Sequence, residues 1–189
     1  MRWSEPSPRL AATEGEGAPG GGAAGVVVRP AGQEDLDDLV ALYAAVAAEG
    51  RWIGGEAPVD VALRRARMAE RLDRPDARVL VADDGGRVVG QLGIELAPYG
   101  VADLGMLVAD GWRGRGVGSA LLRAGIAWAR DAGAHKVALQ VWPHNQAAIA
   151  LYEKFGFERE GYLRRHYRRR NGELWDAVVM GLLLVPGRS

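Results

Sequence analysis

Residues 113–119 (RGRGVGS) place three glycines among two arginines and run directly into an apolar helical pattern. Glycine loses more backbone entropy on folding than any other residue, so this spacing indicates a need for bare backbone. Backbone N–H groups can then point into one concavity, and the N-terminus of the next helix adds about half a positive charge. Arg113 and Arg115 can add ion pairs to phosphate oxygens. The segment predicts an anion site, with an ordinary strand-to-helix turn bearing solvated arginines as the alternative.

Two common phosphate-binding motifs do not fit this segment, which we call the glycine loop. A Walker A loop ends in Gly-Lys-Ser/Thr, and the glycine loop contains no lysine. The dinucleotide fingerprint G-x-G-x-x-G fails as well, because Ser119 stands where the third glycine is required after Gly114 and Gly116. What remains is a strand, the pattern Arg-x-x-Gly-x-Gly and a helix.

A second candidate group lies further along the chain, at Asn145, Ala148 and Tyr152. Their i, i+3, i+7 spacing puts them on one face of a helix. Asn145 is suited both to capping that helix and to contacting a ligand, and the residues alone leave both interpretations open. A tyrosine on the inner face of an amphipathic helix is commonly a core residue.

Alternating strands and helices are predicted to position these groups. Expected strands begin at Val26, fill residues 77–96 around a turn at 83–86, and occupy residues 101–108, 135–142 and both sides of the Asn171-Gly172 hairpin signal. Expected helices cover residues 34–49, 58–72, the stretch from the glycine loop to Gly133, and 145–155. This order predicts an α/β (α+β) fold, a mixed sheet with helices on its faces.

Composition gives few constraints on function. Lys+Arg and Asp+Glu both total 24, so overall charge does not favour nucleic acid or an anionic membrane as a partner. There is no cysteine, no apolar run near the ~20 residues of a membrane span and no signal-peptide core in the first 25 residues. The three histidines lack metal-ligand spacing, and no metal is expected. We expect a soluble cytoplasmic protein, and composition does not distinguish a monomer from a homodimer.

The chain is expected to contain one folded domain between two tails. Residues 1–25 are rich in Gly, Pro and Ala, cannot bury enough apolar surface to offset their ordering entropy, and are expected to form a flexible tail. Residues 26–185 are the expected domain, and residues 186–189 the C-terminal tail.

Arg113-x-x-Gly116-x-Gly118, preceded by a strand and followed by SALL, resembles the signature of the GNAT acetyltransferase superfamily. The segment NQAAIALYEKFGF (145–157) is similar to the second cofactor element of that family, and the resemblance covers about residues 26–185. It implies acetyl-CoA as the acyl donor. It also implies a mostly antiparallel sheet of about seven strands, whose parallel fourth and fifth strands, here LGMLV and VALQVW, splay apart around the pantetheine arm.

The resemblance further implies individual roles. The glycine loop binds the pyrophosphate, and backbone groups of the fourth strand pair with the pantetheine amides like an added strand and polarise the thioester carbonyl. Asn145 contacts the pantetheine, and Tyr152 is the general acid that protonates the leaving thiolate. The implied donor-binding residues are Met106, Leu107, Val108, Arg113, Gly114, Arg115, Gly116, Val117, Gly118, Ser119, Asn145 and Ala148.

The general base is not evident. Relatives that acetylate peptide N-termini carry a Glu on the fifth strand, where this chain has Gln140, and histone-type relatives carry a Glu on the fourth strand, where it has Ala102. Three carboxylates are candidates, each also interpretable as a solvated surface group: Glu95, Asp103 and Glu56. A water relay without a single essential base is equally compatible with the sequence.

The C-terminal segments look most like the subgroup that acts on small L-amino acids (phosphinothricin-type) or related amines. The expected acceptor is therefore a small-molecule amine. Arginines of residues 164–172 (RRHYRRRNG, the arginine hairpin) can bind a substrate carboxylate, with a solvated hairpin as the alternative. Trp52 is expected in a loop that covers the acceptor, whereas Trp142 and Trp175 are expected in the core or the pocket wall. Protein acetylation, ribosomal or N-terminal, and a non-catalytic acyl-CoA sensor remain alternatives.

Overall fold

The computed structural model describes residues 25–184, and the expected tails at residues 1–24 and 185–189 lie outside this part of the chain. Within it the predicted mixed α/β architecture is confirmed. The elements in chain order are β1 (Val26–Pro30), a 3-10 turn (Gln33–Asp35), α1 (Leu36–Ala48), α2 (Val61–Leu72), β2 (Ala77–Asp84), β3 (Arg87–Leu96), β4 (Val101–Val108), α3 (Val117–Asp131), β5 (Lys136–Val141), α4 (Gln146–Lys154), β6 (Glu158–Arg168) and β7 (Leu174–Leu183).

All seven strands described belong to one sheet, in the order β1-β2-β3-β4-β5-β7-β6. Every neighbouring pair is antiparallel except β4 and β5, which are parallel. The parallel ladder joins 101–103 to 136–138 and ends there. Both strands continue, β4 to Val108 beside β3 and β5 to Val141 beside β7. The expected splay between the fourth and fifth strands is confirmed, and it opens a gap in the middle of the sheet.

The two faces of the sheet carry separate cores. On one face α3 and α4 bury Leu121, Leu122 and Ile149 against Leu92 and Ile94 of β3. Because successive side chains of a strand point to opposite faces, the alternate β3 residues at 91, 93 and 95 face the other side. There α1 and α2 form the second core, with Leu39, Val46 and Met68 packed on β2. Helix pairs thus lie on both sides of the gap.

The helix ends follow local chemistry. Helix α2 begins after Asp60, whose carboxylate accepts a hydrogen bond from the Leu63 amide at 2.9 Å. Helix α3 begins after Gly116, whose φ of +88° is in the region that favours glycine. In the part of the chain that the structure describes, no helix is both long and apolar enough to span a bilayer.

Candidate active site

A cavity of about 750 Å³ lies at the gap between β4 and β5. On one face of the sheet its walls come from the glycine loop and α4. On the other face they come from α1, α2 and residues 52–54 of the α1–α2 connection (residues 49–60, the cover loop). The cavity therefore reaches both faces of the sheet, with the splayed strands between them.

The glycine loop carries unused hydrogen-bond donors. Gly114 and Gly116 adopt φ values of +74° and +88°, and Gly116 caps α3 without a side chain. Among residues 25–184, none of the amides from 113 to 119 donates a hydrogen bond to another residue. Free amides at the N-terminus of a fifteen-residue helix, with its positive dipole end, suit an anion such as a phosphate.

Gly118 has a different role from the other two glycines. A Cβ at this position would lie 3.1 Å from Cδ2 of Leu151 and 3.5 Å from Cε of Met106. The bare backbone at Gly118 therefore lets α3 pack closely against α4 and β4, while Gly114 and Gly116 shape the turn.

The structure gives Arg113 a contact that the sequence did not reveal. Its guanidinium donates to the Glu49 carboxylate at 2.7 and 2.5 Å, and its Nε donates to the Val108 carbonyl at 3.1 Å. The same ion pair raises the pKa of Arg113 and lowers the pKa of Glu49. Arg113 fastens the end of β4 to the end of α1, and most of its donors are engaged there instead of being directed at a phosphate.

Two of the expected donor-binding residues, Arg115 and Val117, do not line the cavity. The Arg115 guanidinium lies 5.4 Å from the Trp112 ring centroid, and Val117 is buried in the core. Their amides are the groups that these residues can offer to an anion.

Residues 104–108 of β4 line the cavity where β5 has diverged, and they include the expected donor-binding residues Met106, Leu107 and Val108. A strand edge without a neighbouring strand can accept an extended chain through backbone hydrogen bonds. With the free amides of the glycine loop, this edge fits the anionic and amide-bearing parts of acetyl-CoA.

Helix α4 brings Asn145, Ala148 and Tyr152 to the cavity wall, as the spacing predicts. The Asn145 side-chain oxygen accepts a hydrogen bond from the Ala148 amide at 3.3 Å, which confirms the capping interpretation. Asn145 also lines the cavity, so its remaining polar atoms are near any ligand there.

Tyr152 combines burial with access to the cavity. It is 6% exposed, and its ring packs 5.6 Å from that of Phe157. Burial raises the pKa of its hydroxyl to about 12. The phenol therefore stays protonated throughout the neutral and moderately alkaline range, as a proton donor must.

None of the three candidate bases lines the cavity. Glu95 pairs with two arginines at 3.3 Å, and Glu56 accepts hydrogen bonds from the Arg170 amide at 3.1 and 3.2 Å. Asp103 is exposed on the part of β4 that still pairs with β5. In residues 25–184 no carboxylate and no histidine lines the cavity. Gln140 stands where relatives that acetylate peptide N-termini carry a Glu. It lines the cavity and accepts a hydrogen bond from the Tyr167 hydroxyl at 2.6 Å.

The arginine hairpin is only partly solvated. Arg169 is 5% exposed, lies 4.3 Å from the Trp175 ring centroid, and donates to the carbonyls of Ile53 and Gly54 at 3.4 and 3.2 Å. Arg170 donates to the Pro58 carbonyl at 3.0 Å. The hairpin thus fastens the cover loop. No arginine of the hairpin lines the cavity, so the expected carboxylate contact does not come from this segment.

Sequence reasoning missed the polar residues on the α1–α2 face of the cavity: Tyr43, Arg64, Arg71 and Gln91. A signal was present in α2. Met68 is the buried residue of this helix. Arg64 precedes it by four positions and Arg71 follows it by three, so all three side chains lie on one face. Arginines on the buried stripe of a helix point to a purpose other than solvation.

The geometry defines an α/β acyltransferase-like site, and comparison with known proteins agrees. The sequence model of the Acetyltransferase (GNAT) family matches residues 39–157. The L-amino acid N-acetyltransferase AaaT of Escherichia coli is 42% identical over 120 residues, covering 59% of this chain and 72% of that protein. The L-methionine sulfoximine/L-methionine sulfone acetyltransferase of Pseudomonas aeruginosa is 31% identical over 167 residues, covering 86% and 96%.

Solved structures have the same fold. The ribosomal-protein-alanine N-acetyltransferase of Brucella melitensis superposes with a TM-score of 0.76 at 31% identity, covering 84% of this chain and 99% of that one. The chain belongs to the GNAT acetyltransferase family. It is an acetyl-CoA-dependent N-acetyltransferase, and acetyl-CoA is its acyl donor.

Proposed function

We propose that this enzyme acetylates the amino group of a small free L-amino acid or a closely related amine. The observation that carries the proposal is the fixed cover over the cavity on the α1–α2 face. Trp52, Ile53 and Gly54 of the cover loop line the cavity there, and Arg169 bonds the carbonyls of two of them. An acceptor beneath a fastened loop is small, since an extended peptide needs an open groove.

The cover loop has further attachments. The Trp52 indole donates to Glu49, and His144 Nε2 lies 2.8 Å from the Arg51 carbonyl. Glu49 is also the partner of Arg113, so the cover loop, the glycine loop and β4 are joined through one carboxylate. This linkage supports a preformed site for a small acceptor.

We assign the donor side to the glycine-loop face. The free amides of 113–119 bind the pyrophosphate, the unpaired edge of β4 binds the pantetheine, and Tyr152 donates the proton that the leaving thiolate requires. Acetyl-CoA supplies an activated acetyl group, which an amine attacks directly. The acceptor then enters from the α1–α2 face, because the donor fills the other side of the gap.

The relatives support the small acceptor without fixing it. One relative carries the name of an L-amino acid N-acetyltransferase, and another that of an L-methionine sulfoximine/L-methionine sulfone acetyltransferase. A structural relative carries the name of an enzyme acting on a ribosomal protein. Gln140 favours the first group, because its amide cannot take up the proton that the Glu of peptide-acetylating relatives takes up.

The test compares three acceptors with acetyl-CoA, following thiol release: an L-amino acid, its carboxamide and a short peptide beginning with the same residue. We expect the free acid to give the highest kcat/KM across a panel of side chains. A peptide that reacts faster than every free amino acid would move the assignment to protein acetylation.

A further inference from the structure

The acceptor face of the cavity contains one arginine, Arg64, that has no carboxylate partner among the described residues. Arg64 and Arg71 of α2 line this face, and in residues 25–184 no carboxylate lines the cavity. Two carboxylates close to the cavity are engaged by other arginines, since Glu95 pairs with Arg71 and Glu49 binds Arg113. An anionic group on the acceptor would complete the balance of charge.

Arg64 is held in a defined orientation. Its guanidinium carbon lies 3.6 Å from the centroid of the Tyr43 ring, a stacked arrangement that leaves the N–H edges of the guanidinium available. Its Nε is shielded from solvent and has no hydrogen-bond partner among the described residues. Burial lowers the pKa of Arg64, Arg71 and Arg67 add to that effect, and Tyr43 opposes it. A half-buried cation without a counter-ion is stabilised by an anionic ligand.

Two further polar side chains, Arg71 and Gln91, line the same face of the cavity as Arg64. Arg71 lies over Gly93 of β3, where a Cβ would be 3.2 Å from its guanidinium carbon. Its Nε also lacks a partner in the described chain, while its NH2 lies 3.3 Å from Glu95, so its charge is partly compensated. The Gln91 side-chain oxygen, two residues before Gly93 on the same face of β3, is a buried acceptor without a donor.

We propose that Arg64 binds the carboxylate of the acceptor, with Arg71 as a neighbouring donor and the Gln91 oxygen accepting from the acceptor's amine. This inference rests on the proposed function and specifies it. A free α-amino acid carries the amine and the carboxylate on the same carbon. A carboxamide or a peptide N-terminus has a neutral amide in place of the carboxylate and leaves Arg64 unpaired. Arg64 is therefore a specificity-determining residue that selects free amino acids.

The experiment uses the full chain with Arg64→Gln, Arg64→Lys and a control, Arg67→Gln. Arg67 lies on the same helix, is exposed and does not line the cavity. For each variant kcat/KM is measured with the preferred L-amino acid and with its carboxamide. We expect Arg64→Gln to lower kcat/KM for the acid by roughly 10- to 100-fold, the range of a charge-assisted hydrogen bond, and to change that of the carboxamide by less than about threefold.

Arg64→Lys keeps the charge but loses the planar fork. We therefore expect its kcat/KM for the acid to lie between the values for wild type and for Arg64→Gln. Arg67→Gln should leave both substrates and their ratio unchanged. Because loss of the Tyr43 stack can loosen the fold, the ratio of acid to carboxamide is the deciding value, since a merely structural role lowers both substrates together.

Two failures are distinguishable. If wild type prefers the acid and Arg64→Gln keeps that preference, the assignment of Arg64 is overturned and the small-acceptor proposal stands. If wild type reacts faster with a peptide than with every free amino acid, the proposed function itself fails, and this inference fails with it.

Discussion

The Tyr152 hydroxyl lies on the cavity wall in apolar surroundings, beside the ring of Phe157. Burial raises its pKa to about 12, and the same apolar surroundings disfavour a charged thiolate, so the hydroxyl keeps its proton until charge develops on the sulfur. A proton donor of this kind is useful late in the reaction, when negative charge has collected on the departing sulfur. Burial thus keeps the proton available and restricts water at the same place.

Replacing Tyr152 by Phe tests this role at the scale of one atom. We expect kcat to fall by about 100-fold or more, the range for general acid catalysis, with the dissociation constant for CoA within about threefold of wild type. Thiol release gives kcat and calorimetry gives the affinity. Tyr99→Phe is the control, because Tyr99 is 71% exposed and does not line the cavity. Nearly full turnover under conditions where chemistry limits the rate would make Tyr152 a packing residue.

Single residues were predicted from sequence where their neighbours are local. Asn145 caps α4 through an amide three residues away, and Tyr152 follows on the same face. The sequence predicts that Arg113 binds a phosphate and does not reveal its partner Glu49. That residue lies 64 positions earlier in the chain, and no local pattern encodes the contact. The contacts of the candidate bases are equally hidden from local patterns, because Glu56 binds the Arg170 amide and Glu95 binds the Arg74 guanidinium.

At the scale of elements, the turn from β4 into α3 depends on the backbone of one glycine. Gly116 has a φ of +88°, where a side chain is strained by about 1–3 kcal/mol, and it caps the helix whose amides are free. Helix and loop together form the site that we propose for the pyrophosphate. The length of α3 supplies the dipole, and the glycine directs the amides.

Gly116→Val is expected to abolish measurable CoA binding while the domain remains folded, because the side chain distorts the turn and narrows the approach to the amides. The matched control is Gly111→Val, which carries comparable strain at a φ of +79° in the same connection but does not line the cavity. Calorimetry with CoA and a thermal melt are made on both variants. Unchanged affinity in a folded Gly116→Val protein would contradict the assignment of the pyrophosphate site.

Most elements were predictable because each has a strong local signal. The helix expected at residues 58–72 begins at Val61, since Asp60 provides the cap, and the others agree within a few residues. The parallel pairing of β4 with β5 and its early end came from family resemblance. The arginines of α2 were missed because the sheet that gives them neighbours, Gly93 and Gln91 of β3, is formed by a later part of the chain.

At the scale of the whole molecule, the site exists because two helix pairs and a gapped sheet meet in one cavity. The contact of Arg169 with Ile53 joins positions 116 residues apart and covers that cavity. In residues 25–184 neither a carboxylate nor a histidine lines it. In the proposed reaction, residues 25–184 therefore provide a proton donor, Tyr152, but no base on the cavity wall.

No carboxylate or histidine of residues 25–184 lines the cavity, and this predicts how the rate depends on pH. An acceptor ammonium cannot attack the thioester, and its neutral fraction rises tenfold per pH unit below the pKa of the amine. We expect kcat/KM to rise with pH until it reaches the acceptor's own pKa, and to show no falling limb from Tyr152 below about pH 11, since its pKa is about 12. The measurement is a pH profile with two acceptors whose amine pKa values differ. The midpoint should move with the acceptor and stay in place in Asp103→Asn, whose side chain lies outside the cavity wall. A midpoint near neutrality that is the same for both acceptors would instead reveal a base on the enzyme.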